Sequence, residues 1–361
     1  MKVIIAGGGT GGHLFPAVAL GEELRRERPA IEVLHVGTAN GFEAQWLPSS
    51  GLKYELFPVR GIRGKGVATR ARAVAEFIAA LRQARSLLRR FSPSLVVSAG
   101  GYASAPMAVA ALIRHVPLVL MEQNTRPGLS NRLLWRFARK ICVGFEDTAK
   151  IMKTDRVVVT GNPVRLAFIP APLTILRSPV HILVLGGSTG AHRLNVGVVN
   201  AFINSAKDVI KFEIAHQTGQ ADVAVVTQGY EPLGITARVV PFIDDMASAL
   251  DGADLIIARG GAMTVTEVAI AGRAAIFVPY PFHRDRQQEH NARVLERLGG
   301  AIIVDDDERL AENLKIILSE LLTNPSRIIE MGHKTRQAGK PDAAARIARV
   351  CFDIMEARTA A

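Results

Sequence analysis

The chain states one pattern twice. Val3-Ile4-Ile5-Ala6-Gly7-Gly8-Gly9-Thr10-Gly11-Gly12-His13 returns as Ile182-Leu183-Val184-Leu185-Gly186-Gly187-Ser188-Thr189-Gly190-Ala191-His192, displaced by 179 residues without a gap in a chain of 361. Each copy is an apolar run, a glycine-rich turn and then a segment with helical spacing, the signature of the first strand, phosphate loop and helix of a nucleotide-binding α/β domain. A second echo joins Leu95-Val96-Val97-Ser98-Ala99-Gly100-Gly101-Tyr102 to Leu255-Ile256-Ile257-Ala258-Arg259-Gly260-Gly261-Ala262. One Gly-Gly pair is an ordinary tight turn. Four pairs, each directly after an apolar run, point to the carboxyl ends of parallel strands, where open α/β sheets bind ligands. The expected fold is α/β: two Rossmann-like, doubly wound parallel-sheet domains facing a cleft.

Strand–helix alternation continues along the whole chain and favours parallel sheets. Strands are expected at 3–6, 32–36, 95–98, 118–121, 140–143 and 157–160, then at 182–185, 212–216, 237–241, 255–258, 275–279 and 301–304. Helices are expected at 16–28, 69–90 and 130–139, with a last one at 341–357. The turn-rich stretch from Gly161 to Pro172 reads as a linker, which divides the chain into residues 1–163 and 164–340.

Charge is lopsided. Residues 1–162 hold 23 Lys and Arg against 11 Asp and Glu, and the remainder holds 21 against 22, so the net +11 lies in the first half. Nine basic residues fall between Arg60 and Arg90, with Glu76 the one acid among them. Val74, Phe77, Ile78, Leu81 and Leu88 share helical spacing there. Such a segment either docks its apolar face on a sheet or rests on an anionic lipid surface. Nucleic acid is not expected, because stacking aromatics and nucleic-acid motifs are missing. No apolar run is long enough to span a membrane, and the first strand runs straight into glycines where a secretory signal would stand. Cys142 and Cys351 have no metal-ligand spacing, so a reducing compartment is expected.

Gly7-x-Gly9-x-x-Gly12 satisfies the dinucleotide spacing, but the second strand ends His35-Val36-Gly37-Thr38 without the acid that holds a ribose in NAD sites. The loop ends instead in His13, a titratable group beside backbone N–H donors. In the second half, Arg259 to Glu267 opens a helix at a strand end, a seat for a diphosphate. Glu267 is placed in the first turn of that helix, where it either accepts from ribose hydroxyls or caps the helix. The polar run from His283 to Asn291 suits recognition of a sugar or uracil, or is a solvated loop.

Taken together, Gly9-Thr10-Gly11-Gly12-His13 with Pro16, Gly100-Gly101-Tyr102, Glu122-Gln123-Asn124, Gly161-Asn162-Pro163-Val164-Arg165, Gly186 to Ala191, Phe242-Ile243-Asp244-Asp245-Met246, Gly261 to Glu267 and Gln287-Gln288-x-x-Asn291 resemble the MurG family of bacterial UDP-N-acetylglucosamine transferases. The matches run in order from residue 7 to 291. Thr189 stands where the family pattern has Gln, and Met263 where it has Leu. The resemblance implies a GT-B architecture whose last helix crosses back to the N-terminal domain, and an inverting transfer of N-acetylglucosamine from UDP-GlcNAc to undecaprenyl-diphosphate-linked N-acetylmuramoyl-pentapeptide (lipid I). It implies no cofactor and no bound metal, and a peripheral enzyme on the cytoplasmic face of the inner membrane, where it meets the anionic surface. Carried over by residue, Glu267 holds the ribose and Ile243 meets uracil through its backbone. Ser188 and the turn formed by Ala262, Met263 and Thr264, with Val265 and Thr266 behind it, bind the diphosphate. Gln287, Gln288, Asn124, Arg165 and the Thr10-Gly11-Gly12 loop hold the sugar and its leaving phosphate. His13 is the candidate base, or it positions the acceptor diphosphate.

A UDP-GlcNAc 2-epimerase shares such an architecture but needs further acids for proton abstraction at the sugar, and Glu122 is the main one near an N-terminal loop. A transferase acting on another lipid fits equally well in kind. A nucleotide-binding module without catalysis explains the glycines but not His13, Asn124, Arg165 and Gln288 together.

Overall fold

Parallel strands with near-continuous apolar runs must be covered on both faces, and both halves of the chain meet that demand in the same way. The computed structural model describes residues 1–59, 67–101, 104–165, 177–187, 190–203, 211–283 and 285–360. The chain divides into two units, Met1–Leu166 with Pro341–Ala361, and Ala167–Lys340.

In the first unit the strands are β1 (Lys2–Ala6), β2 (Glu32–Thr38), β3 (Tyr54–Phe57), β4 (Leu95–Ser98), β5 (Leu118–Glu122), β6 (Lys140–Val143) and β7 (Val157–Val159). Between them run helices α1 (Gly11–Glu27), α2 (Glu43–Trp46), α3 (Val67–Phe91), α4 (Ser104–Ile113), α5 (Leu129–Leu134) and α6 (Glu146–Met152). The sheet order is β3-β2-β1-β4-β5-β6-β7, with every pairing parallel. Ala6 lies opposite both Val36 and Ser98, so β1 and β4 end level, while β2 runs two residues further to Thr38.

The second unit repeats the plan. Its strands are β8 (Val180–Leu185), β9 (Phe212–Gln217), β10 (Thr236–Val240), β11 (Leu255–Ala258), β12 (Ala274–Phe277) and β13 (Ala301–Ile303), in the order β10-β9-β8-β11-β12-β13. Its helices are α7 (His192–Ile203), α8 (Val223–Tyr230), α9 (Met246–Gly252), α10 (Ala262–Ala271), α11 (Gln287–Glu296), α12 (Leu310–Thr323) and α13 (Pro325–Arg336). The two sequence echoes now have a place. In each sheet they are the first strand and the strand beside it across the point where the winding reverses, β1 with β4 and β8 with β11.

The chain ends in α14 (Ala343–Ala360), which belongs to the first unit. Its Ile347, Ala348, Cys351, Phe352 and Met355 pack with Leu20 and Leu24 of α1 and Val3 and Ile5 of β1. The Arg28 guanidinium lies 4.1 Å from the centre of the Phe352 ring.

Several expectations need correction. Residues 161–164 are buried in the first unit, with the Asn162 amide donating to the Gln123 carbonyl, so this part of the expected linker is structural. The rest of that stretch, at residues 169–172, lies outside the described ones. Strand β3 was not foreseen, because Tyr54 to Phe57 is short and half exposed at the sheet edge. Helix α1 starts at Gly11, with Pro16 inside it. Pro16 falls early enough that it removes a single backbone bond, the one Gly12 would accept. The expected helix over 130–139 becomes the short α5 and a 3-10 turn at Trp135–Phe137.

Phe352 is 6% exposed and central to the contact that holds α14. Phe352→Ala is expected to destabilise the chain by about 3–5 kcal/mol, read as a shift in the urea midpoint. A shift typical of a surface position, within about 0.5 kcal/mol, would mean that α14 does not cover this face.

Candidate active site

In the first unit the candidate residues gather at the carboxyl edge of the sheet. Thr10 has extended backbone and precedes α1, whose first residues are Gly11, Gly12 and His13. The Thr10 hydroxyl lies 3.0 Å from His13 Nδ1. The imidazole leans on the turn after β4: a Cβ at Gly100 would overlap its Cδ2 and Nε2 atoms. The neighbouring Gly101, with φ +84°, packs its backbone on the carbonyl of Gly8, where no side chain fits. The two glycine turns of this unit are therefore one piece. Burial holds the His13 pKa below the ordinary imidazole value, and the Glu43 carboxylate works in the opposite direction.

The turn after β5 joins them. The Gln123 amide donates to the Ala99 carbonyl at 3.0 Å, and Thr148 donates to the Asn124 carbonyl at 2.9 Å. Glu122, 3% exposed, accepts from the N–H groups of Asn124 and Gly128 and the amide of Asn131 at 2.8–3.0 Å. Its pKa is raised by burial, which those hydrogen bonds oppose. Glu122 thus shapes the loop that carries Asn124. Arg165 lies over the Phe15 ring of α1 at 4.9 Å, and Phe15 meets Phe42 and Trp46 edge to face.

In the second unit, Ser188 lies outside the described residues. The rest of the donor set divides between two places. Ala262, Met263 and Thr264 form the first turn of α10, with Gly261 as its extended N-cap, so their N–H groups have no acceptor within the helix. Val265 and Thr266 are buried behind them, and Thr266 Oγ1 donates to the Ala262 carbonyl at 2.8 Å. Glu267 is half-buried and is the sixth residue of α10, in the second turn rather than the first. That depth removes N-terminal capping as its purpose. Gln287 and Gln288 open α11, and the Gln288 carbonyl sits where a Cβ on Gly260 would stand. Asn291 Nδ2 donates to the Gly260 carbonyl at 3.3 Å, and Gln288 Oε1 accepts from the Tyr280 N–H at 2.9 Å. The Gly260 turn and the glutamines thus form one wall. Ile243 stands apart, in the loop between β10 and α9. With Phe242, Asp244 and Asp245 it lines one end of a groove of about 610 Å³ along β8, β9 and β10.

Three groups went unread in the sequence. Glu43 is fully buried beside the first glycine turn, accepting from Gly9 and Thr38. Asp306, after β13, binds Arg193 of α7 at 2.7 Å and Arg259 after β11 at 2.8 Å, tying three elements together at the strand ends. Asn195 of α7 donates to Asp222 and to the Thr218 carbonyl and pairs with His216, which in turn meets the Tyr230 hydroxyl. None has a local spacing signal: apart from Thr38, five residues before Glu43, the partners come from distant elements. The repeat also places His192 where the first copy has His13. His192 pairs with Asp222 at 2.8 Å with its side chain 68% exposed, so the two histidines have different surroundings. Among the described residues, no cluster of three or more His, Cys, Asp or Glu is arranged to hold a metal ion.

Residues 3–143 match the glycosyltransferase family 28 N-terminal domain, and residues 181–347 match the family 28 C-terminal domain. The chain belongs to glycosyltransferase family 28. Its relatives include proteins of Geobacter sulfurreducens, 41% identical over 349 residues, and of Geotalea uraniireducens, 40% identical over 351. Each alignment covers 95% of this chain and 96% of the relative, and both proteins are named UDP-N-acetylglucosamine–N-acetylmuramyl-(pentapeptide) pyrophosphoryl-undecaprenol N-acetylglucosamine transferase. Among solved structures, MurG of Acinetobacter baumannii is 32% identical, with a TM-score of 0.77 over 97% of this chain and 98% of that one. The family 28 chain also shares its fold with the UDP-GlcNAc 2-epimerase of Neisseria meningitidis, at 14% identity and a TM-score of 0.68 over 98% of this chain and all of that one.

His216 and His35, the latter 2% exposed, are both held by burial at a pKa of about 3. Their unfolded value is near 6.5, so between those limits the unfolded chain binds the extra proton and acid destabilises the fold. From pH 6 to 5 each is expected to remove about 1 kcal/mol from its own unit. Urea midpoints measured across that range should fall with pH, and the slope should flatten in His216→Gln and His35→Gln. An unchanged slope would mean that the two imidazoles take up protons in the folded state.

Proposed function

We propose that this chain transfers N-acetylglucosamine, with inversion, from UDP-N-acetylglucosamine to undecaprenyl-diphosphate-linked N-acetylmuramoyl-pentapeptide, turning lipid I into lipid II. The observation that carries the reading is the identity of about 40% along 95% of the chain with relatives named for this transfer. The second unit takes the donor. The N-terminus of α10 receives the UDP diphosphate on open N–H groups and the positive helix end. Glu267 accepts from the ribose hydroxyls, the Ile243 backbone meets uracil, and Ser188, Gln287 and Gln288 complete the diphosphate and sugar contacts. The first unit takes the acceptor, with Thr10, Gly11, Gly12, Asn124 and Arg165 holding polar groups of the reacting pair.

In the reaction the acceptor hydroxyl oxygen bonds to the anomeric carbon as the bond from that carbon to the UDP oxygen breaks. The hydroxyl proton goes to His13 through Nε2, since Nδ1 faces the Thr10 hydroxyl. The depressed pKa of His13 supports this role, because it leaves the imidazole neutral near pH 7. Charge developing on UDP is met by the α10 terminus. A test is to offer sugar-labelled UDP-GlcNAc with lipid I, with another polyprenyl acceptor, or alone. Label moving to lipid I alone supports the reading; free 2-epimer or label on another lipid overturns it.

Two variants separate the roles. Glu267→Ala is expected to weaken UDP binding about ten- to hundredfold, the worth of charge-assisted bonds, by calorimetry. His13→Ala is expected to leave that affinity unchanged and to lower turnover about a hundredfold or more. Unchanged UDP affinity in the first, or full turnover in the second, would remove that residue from its role.

The lipid acceptor further suggests peripheral docking of the first unit on anionic lipid. Among the described residues no helix is long and apolar enough to cross a membrane. Helix α3 buries Ala80, Ala84, Leu87 and Leu88 in the core but leaves Val74 and Ile78 exposed beside exposed Arg82, Arg85 and Arg89. Leu129, Leu133 and Phe137 are exposed around α5, among Arg132 and Arg136. The buried face of the helix meets the first expected use, and its exposed basic face supports the second. Replacing Arg82, Arg85 and Arg89 by Gln is expected to reduce binding to anionic vesicles and spare UDP affinity, each charge contributing about 1 kcal/mol. Equal wild-type binding to neutral and anionic vesicles would exclude the docking surface.

A further inference from the structure

One buried charge in the first unit takes no part in the chemistry just described. Glu43 stands in the single-turn helix α2 and is fully buried. Its carboxylate accepts from the Gly9 N–H at 2.8 and 2.9 Å, from the Thr38 N–H at 2.7 Å and from the Thr38 hydroxyl at 2.6 Å. All of these donors are uncharged. Three glycines shape the space around it: a Cβ on Gly8, Gly37 or Gly41 would overlap the Glu43 side chain. A buried carboxylate is costly unless its oxygens are satisfied, and here backbone from two strand ends supplies the bonds. Gly9 belongs to the loop whose N–H groups hold a ligand's phosphate in a dinucleotide-binding domain. In this chain its N–H is already taken, by an anion the protein carries itself.

We propose that Glu43 is a positioning residue for His13: an internal anion that fills the first glycine turn, sets the path from β1 into α1 on which the imidazole stands, and supplies the negative charge the imidazole works beside. His13 is four residues beyond Gly9, and its ring is confined by the Thr10 hydroxyl on its own helix and by Gly100 after β4, with the Gln123 amide close behind Gly100. Among the described residues, Glu43 is the charged group that acts on this ring, opposing the loss of basicity that burial causes. Rotating or neutralising the carboxylate therefore alters both the placement of the histidine and its proton affinity. The inference rests on His13 as the base for its effect on turnover, but the electrostatic coupling between the two groups is measurable without turnover.

The test uses the full-length protein with 13C-labelled histidine, the His13 signal being assigned by its loss in His13→Gln. Glu43→Gln keeps the shape and removes the charge. The His13 titration is expected to move to lower pH, and the acid limb of kcat/KM to move with it in the same direction, while UDP affinity stays within about twofold. In a His13→Gln background, Glu43→Gln is expected to cost nothing further in turnover, because coupled residues are not additive. An unmoved His13 titration in folded Glu43→Gln overturns the proposal, as does the same fold-loss in turnover in both backgrounds. A shifted titration with an unshifted rate profile leaves Glu43 coupled to His13 and removes His13 as the base. Should Glu43→Gln not fold, hydrogen exchange on the wild-type chain decides. Gly9 and Thr38 amides slower than the rest of the turn support the carboxylate seat, and exchange at open-loop rates overturns it.

Discussion

The backbone of Gly101 lies directly on the carbonyl of Gly8, an approach that any side chain would forbid. Much of the first unit's site depends on that contact. It brings the turns after β1 and β4 together where the winding of the sheet reverses, and the level ends of these two strands make this possible, since Ala6 pairs with Ser98. His13 is then held between its own helix and Gly100, and Gln123 anchors the next turn to Ala99. A larger residue at 101 would separate the turns and leave the histidine unsupported.

Both units share the sheet order and the glycine turns, but they use them differently. In the first unit a side chain of the protein fills the glycine turn, and Glu43 satisfies the Gly9 N–H. In the second, the nearest acid to the α10 terminus on its own helix is Glu267, which is set back into the second turn. That arrangement leaves the positive helix end for a ligand's anion. The paired histidines diverge for the same reason. His192 finds Asp222 and points outward, whereas His13 is pressed against a glycine. Similar local sequence therefore has different surroundings, because the groups around each copy come from elsewhere in the chain.

This also decides what could be read in advance. Apart from β3, the strands of both sheets and the glycine turns were legible, because apolar runs and Gly-Gly pairs are local patterns. The edge strand β3 was missed because half-exposed Tyr54 and Glu55 dilute its pattern. Glu43, Asp306 and Asn195 were missed for another reason. Each acts through partners brought close by tertiary packing, Asp306 joining residues 193 and 259 across the unit. Glu267 was placed a turn too early, since the Gly-Gly pair marks where the turn lies but not the residue at which helix hydrogen bonding begins.

Three buried carboxylates share a physical task. Glu43 holds a turn after β1, Glu122 a turn after β5, and Asp306 joins the ends of β11 and β13 to α7. All three are carboxylates with little or no exposure at the carboxyl edge of a parallel sheet, where strands deliver N–H groups that no neighbouring strand accepts. Glu43 and Glu122 meet that demand directly, and Asp306 meets the arginines that bridge the same edge. A ligand-binding edge needs open donors, yet a fold tolerates few of them when buried. Internal carboxylates resolve the conflict by satisfying the donors that must stay fixed. At the helix N-termini, Gly11, Gly12, Ala262, Met263 and Thr264 keep N–H groups with no acceptor within the helix, whereas that of His13 is taken by the Thr10 carbonyl.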